Sequence, residues 1–236
     1  MTAIKVKIKA LSPVHFSSGQ ADVNVDAEVI HDRYGMPYLP AKRFKGLLLE
    51  SAREIKEMGE RSGMTGLAGV NLARLFHQGG SRTDKSVAEE SGSEREVQIV
   101  VPNFFLEERE EYDKMCRAWE EIQRAYRSLI TPKEVLEEYT SVRYQTKLKD
   151  GVAFKGSLHN MRAVNPGVVF RGTVELLGER AEEYLGFLLL SVKNIRSVGM
   201  KRNRGFGSVA CHVCLADGRD AEAVAAAYLE REAKGA

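Results

Sequence analysis

The sequence predicts an α+β fold built on a split βαβ, ferredoxin-like core. Three observations lead there. A strictly alternating strand opens the chain, and strong strand patterns recur at residues 167–178 and 207–215. Amphipathic helical patterns follow the first of these strands and separate the last two. The reduced order is strand, helix, strands, helix, strand. That is a βαββαβ unit with an antiparallel sheet covered on one face.

The chain has 236 residues, enough for a full core without disulfide staples. We read it as one domain, 1–236, carrying an insertion at 59–130. The net charge of +2 is nearly balanced, so any nucleic-acid role must come from clustered charge. Three cysteines, an odd number, argue against a disulfide framework and fit a reducing, cytoplasmic setting. No apolar run has the length of a membrane span.

In "AIKVKIKAL", Ile4, Val6, Ile8 and Ala10 face one way and Lys5, Lys7 and Lys9 the other. This is a half-buried strand. Its lysine face reads first as a solvated face and second as a phosphate contact. "DAEVIHD" predicts a second extended segment, and Gly35, Pro37 and Pro40 a turn. Residues 41–58 are helical, with Phe44, Leu47, Leu48, Ala52 and Ile55 on one face.

The insertion has a Gly/Ser-rich part, 59–96, with one short helix near 72–76. A strand-like return at 96–108 precedes its helical part, 107–130. There Met115, Trp119, Ile122, Tyr126 and Leu129 form a stripe of the kind that packs into a core. Thr131 and Pro132 start a further helix. Asp150 and Gly151 mark a hairpin turn. The chain closes with a helix after residue 218.

Two basic clusters stand out. In "NIRSVGMKRNRGFGSV", Gly199, Gly205 and Gly207 alternate with Lys201, Arg202 and Arg204, and Lys193 and Arg196 lie just before. Glycines permit φ > 0 and close backbone approach; arginines and free N–H groups then cradle phosphates. Phe206 could stack on a base. The second cluster, Lys42, Arg43 and Lys45, sits in a first helical turn, where cations oppose the helix dipole. A bound anion would account for them. The plainer reading is that their stems lie over the sheet.

These stretches resemble the RAMP superfamily of CRISPR proteins, whose core is ferredoxin-like and RRM-like. "VDAEVIHDRYGMPYLPAKRFKG" is similar to its N-terminal aspartate-and-glycine segment. "GSLHNMRAVNPGVVFRGTVEL" is similar to its central strand pair, and "GMKRNRGFGSV" to its C-terminal glycine-rich loop. Within the superfamily the type III effector backbone subunit is most similar, and type III-D members share the bulky "AKRFKGLL". The sequence departs from the family pattern at Leu49, where an arginine is expected.

The resemblance implies crRNA and target RNA as partners, together with other type III effector subunits and further copies of the chain along the guide. It implies a thumb hairpin at 149–151, flanked by Arg143, Lys147 and Lys155. It places the target-cleaving aspartate on Asp26, which would hold Mg²⁺ or another divalent cation or help remove a proton. It also leaves two alternatives: a non-catalytic end cap gripping the guide's 5′ region, or a guide-processing ribonuclease, for which His15 would be the candidate. Asp32 is read as bracing the turn at Gly35. Cys211, His212 and Cys214 lack a second ligand pair, so no structural metal is expected.

Overall fold

A computed structural model describes residues 2–22, 24–76, 97–126 and 130–234. The first strand, β1 (Thr2–Ala10), follows the predicted alternation, with Ile4, Val6, Ile8 and Ala10 buried and Lys5, Lys7 and Lys9 exposed. Helix α1 (Ala41–Ser62) buries Phe44, Leu48 and Ala52 on the face that meets the sheet. Gly63, at φ +76°, ends it in the left-handed conformation that only glycine adopts without strain. Two one-turn helices, α2 (Thr65–Ala68) and α3 (Leu72–Leu75), follow. The later elements are β2 (Gln98–Val100), α4 (Arg109–Ala125), α5 (Pro132–Tyr139), β3 (Thr140–Gln145), β4 (Leu148–Lys149), β5 (Val152–Ala153), β6 (His159–Val164), β7 (Val169–Leu177), α6 (Ala181–Lys193), β8 (Val209–Leu215) and α7 (Ala221–Lys234).

The main sheet runs β2-β7-β1-β8, with every neighbouring pair antiparallel. This is the ferredoxin-like order expected of a βαββαβ unit. The α1 and α6 helices cover one face and are tied directly: Ser51 Oγ donates to the Ser191 carbonyl at 2.6 Å. The last helix, α7, packs behind α6, where Gly186 leaves room for the Tyr228 ring. Among the described residues no helix is long and apolar enough to cross a membrane.

Three sequence expectations are corrected in detail. Residues 26–32 form isolated bridges rather than a strand: Ser17 pairs with Val29, and His31 with Pro37. The return after the Gly/Ser-rich segment shortens to β2, which pairs through Gln98, Ile99 and Val100 with β7. The 59–130 stretch therefore supplies an edge strand of the core sheet as well as α4. On α4 only the first half of the stripe packs; Met115 and Trp119 reach the core, while Ile122 and Tyr126 are exposed. Leu129, and Arg82 and Lys85 of the Gly/Ser-rich segment, lie outside the described residues.

The second sheet carries the hairpin. Strands β3 and β6 pair from Thr140↔Val164 to Gln145↔His159, and β4 and β5 form the tip. Asp150 and Gly151 both take positive φ, 52° and 79°, as a two-residue hairpin turn of matching twist requires. At its base, Thr131 and Glu134 form a capping box that starts α5.

Candidate RNA interface

Two of the predicted residues, Asp26 and Lys201, meet the base of the hairpin. Asp26 is exposed on the loop between β1 and α1. Its backbone N–H donates to Asn160 Oδ1 at 2.8 Å, and the Asn160 N–H donates to Asp26 Oδ2 at 2.8 Å. Asn160 Nδ2 also donates to the Asn24 carbonyl at 3.0 Å. The Asp26 loop thus lies along β6 like an added strand, and the Arg162 N–H continues the contact to the Ala27 carbonyl at 3.0 Å.

Beneath it lies an ion pair that inspection of the sequence missed. Arg162 and Glu28 are both buried; Arg162 Nε donates to Glu28 Oε2 at 3.0 Å and lies 2.9 Å from Oε1. Glu28 Oε1 also accepts from the Val29 N–H, and Arg162 Nη1 reaches Thr140 Oγ1 at 3.3 Å. Both charges are hydrogen-bonded as well as paired, which a buried ion pair requires. The two residues are separated by most of the chain, so no local pattern signals them.

The glycine-rich loop approaches from the other side. Lys201 Nζ donates to Gln145 Oε1 at 2.5 Å, at the end of β3. Tyr144, the neighbour of Gln145, sits directly opposite Asn160. Asp26 and Lys201 therefore grip adjacent rungs of the same hairpin. Burial, and then the charge of Arg204, hold the Lys201 amine below the usual lysine range. Gly199 takes φ +77° with the His15 carbonyl against it: an added Cβ would lie 2.6 Å from that oxygen. The Gly207 N–H donates to the Pro13 carbonyl at 2.8 Å. The loop is thus bound to the turn after β1.

Between this loop and α1 opens a hollow of ≈ 670 Å³ lined by Glu50, Ser197, Lys201, Arg202 and Arg204. Arg202 pairs with Glu50 in a forked contact at 3.1–3.3 Å. Three cations against one carboxylate leave the hollow positive, and Arg204 is exposed at its rim. Gly205 is also exposed, while Phe206 is half-buried.

Of the helix-start cluster, Lys42 is exposed and Lys45 is half-buried. Arg43 reaches back to the Ser17 carbonyl and ties α1 to the Asp26 loop. The first-turn Ala41 N–H is satisfied by Asn103 Oδ1 at 2.8 Å. Arg143, Lys147 and Lys155 are exposed on the hairpin, and Lys147 stands over the Phe154 ring at 5.9 Å. The hairpin also exposes Tyr144, Val152, Phe154 and Leu158, each more than half accessible. These apolar tips were not singled out in the sequence, although the "VAF" after the turn could have signalled them.

His15 is 2 % exposed, and its Nδ1–H donates to the Arg162 carbonyl at 2.7 Å. It braces the loop from inside and is not placed to meet RNA. Asp32 braces the turn as expected: Oδ1 accepts from the Tyr34 and Met36 N–H groups at 2.9 and 2.8 Å, and Oδ2 from the Tyr112 hydroxyl. Burial pushes the Cys211 thiol up to about 12, so it is a poor thiolate donor. Among the described residues no group of three or more His, Cys, Asp or Glu side chains could hold a metal ion.

The sheet order, the clasped hairpin and the glycine-rich loop form one constellation, and the RAMP superfamily model matches residues 7–210 of the chain. The chain belongs to the RAMP superfamily. Its fold is also that of a chain in the cryo-EM structure of the Type III-B Cmr-beta bound to cognate target RNA. The TM-score is 0.55 at 13% identity, covering 95% of this chain and 99% of that one. A chain of the Type III-B Cmr-beta apo state aligns at TM-score 0.52 and 14% identity, covering 89% and 96%. At such identities the likeness is one of fold. No curated protein matches this RAMP chain.

Proposed function

We propose that this RAMP protein is a crRNA-binding subunit of a type III CRISPR effector complex, and that its Asp26 cleaves bound target RNA. One observation carries the reading. Asp26 and the basic glycine-rich loop hold adjacent rungs of one exposed, apolar-tipped hairpin, through Asn160 and Gln145. A strand of RNA held by Lys201, Arg202 and Arg204 would pass the hairpin within reach of a fixed carboxylate. Lys42 and Lys45 at the start of α1, and Arg143, Lys147 and Lys155 on the hairpin, extend the positive track. Other type III subunits and further copies of the chain along the guide are its partners.

The chemistry is transesterification. A ribose 2′-oxygen attacks the adjacent phosphorus, the bond to the 5′-oxygen breaks, and a 2′,3′-cyclic phosphate and a 5′-hydroxyl result. The 2′-proton must leave and the 5′-oxygen must gain one. Asp26 would accept the first proton or orient the hydroxyl. Its carboxylate is also a hard oxygen donor of the kind Mg²⁺ takes when substrate phosphates and waters complete the shell. A bound divalent ion would supply charge neutralisation at the phosphate. Asn160 fixes the carboxylate, so little reorganisation is needed.

The test uses the complex loaded with guide, with and without Asp26→Ala, given labelled complementary RNA and Mg²⁺. Regular cuts that vanish in the variant while target binding persists support the reading. Identical cut patterns would leave the chain as a subunit that grips RNA without cutting it.

A further inference from the structure

We propose that the outer face of the main sheet is a second track for single-stranded RNA, with Lys5, Lys7 and Lys9 contacting successive phosphates. Helices α1 and α6 cover the other face, and these three side chains are exposed. Alternate residues of one strand stand about 6.6 Å apart in a straight line. That step is comparable to the phosphate repeat of an extended single strand. Among the described residues none of the three lysines has an ion-pair partner.

Cross-strand neighbours make the point sharper. Lys5 lies opposite Thr173 and Cys214, and Lys9 opposite Val169 and Ala210. Lys7 lies between Arg171 and His212, so both of its direct cross-strand neighbours are basic. Like charges directly opposite destabilise a sheet. Arg171 is compensated by Glu107 at 3.4 Å, whereas Lys7 has no such carboxylate among the described residues. A polyanion lying along β1 would relieve the row.

The stripe is also continuous with the candidate interface. Ala10 pairs with Val209, and the Leu11 N–H donates to the Ser208 carbonyl at 2.8 Å, where the glycine-rich loop ends. A strand leaving that loop meets Lys9 first. The exposed residues of β1 and β8 on this face include no Phe, Tyr or Trp, so the track reads mainly backbone charge. The choice of RNA as the polyanion rests on the proposed function; the position of the track does not.

The test measures binding of labelled polyuridine by the full chain, with oligomers of about 8 and about 30 nucleotides. Lys5→Ala/Lys7→Ala/Lys9→Ala is compared with Arg202→Ala/Arg204→Ala and with the three lysines changed to arginine. The expected result is that the lysine variant binds the long strand about tenfold or more weakly at 0.1 M salt, with a salt slope shallower by about 2. The short strand is unaffected and the arginine variant binds normally. If the triple-alanine variant melts like wild type and keeps the wild-type salt slope on the long strand, the track does not exist, and an acidic protein then becomes the candidate for that face. If only Arg202→Ala/Arg204→Ala is silent, the glycine-rich loop reading fails and the sheet track stands.

Discussion

Asp26 and Asn160 hold each other reciprocally, each backbone N–H donating to the other's side-chain oxygen at 2.8 Å. This pair joins the candidate cleavage residue to the exposed hairpin proposed as the thumb. Asn160→Ala removes the acceptor for Asp26 and the donor to Asn24 but keeps the backbone bond to the carboxylate. The expected cost is about 1 kcal/mol, because the groups are only partly buried. In the guide-loaded complex, cutting should slow more than target binding weakens. Thermal melts and single-turnover cleavage of the same preparations check both parts.

The Glu28–Arg162 pair makes a stronger claim on stability. Removing one partner leaves the other charge buried, which costs about 3–5 kcal/mol. Glu28→Leu and Arg162→Met should each approach that loss, and the double variant should lose less than either single change. Urea unfolding of the three variants measures the coupling. A double variant as weak as the sum of the singles would show that Arg162 acts mainly through Thr140 and the backbone.

Much of this architecture was legible in the sequence. The period-two pattern of β1, the Asp150 and Gly151 turn and the Thr131–Pro132 helix start are local, and local patterns survive folding. The glycine-rich loop was legible because positive φ and basic charge both leave compositional marks. The β2 strand was only coarsely legible, since three residues carry too little periodicity. The extended segment expected at 26–32 does not form a strand: its central residue, Val29, is buried where the loop crosses the hairpin base, not by a ladder. The bond from the Arg43 guanidinium to the Ser17 carbonyl was not legible, because it joins the helix start to a loop 26 residues earlier. The clasp between Asp26 and Lys201 could not be read at all, because it joins four separate segments.

His15 gives a pH prediction. Burial, opposed by its bond to the Arg162 carbonyl, together with the nearby charges of Lys201 and Arg43, holds its imidazole below the usual 6.5. The unfolded chain then binds this proton more readily than the folded one. Stability from this site is complete above pH 6.5 and falls as the pH drops below it toward the folded value. His15→Asn keeps a donor near the Nδ1 position and has no titration there. Its melting temperature should decline less than that of the wild type between pH 7 and 5, and equal declines would assign the loss to other groups.

The glycines of the loop should not be equivalent, although three share nearly the same φ. Gly199, Gly205 and Gly207 lie at +77°, +77° and +81°. An added methyl costs each about 1–2 kcal/mol from the left-handed backbone alone. At Gly205 the new carbon meets nothing within 4 Å, so Gly205→Ala should cost only that amount. At Gly207 it would lie 2.2 Å from the Val198 carbonyl oxygen, and at Gly199 2.6 Å from that of His15. Both neighbours are backbone and cannot swing aside. The Val198 N–H also donates to the Gly207 carbonyl at 2.8 Å, so relieving the clash at Gly207 breaks that rung. Melting curves should therefore rank Gly207→Ala and Gly199→Ala well below Gly205→Ala. A flat ranking would mean that the loop shifts as a unit, and that Lys201, itself at φ +58°, is carried away from Gln145 with it.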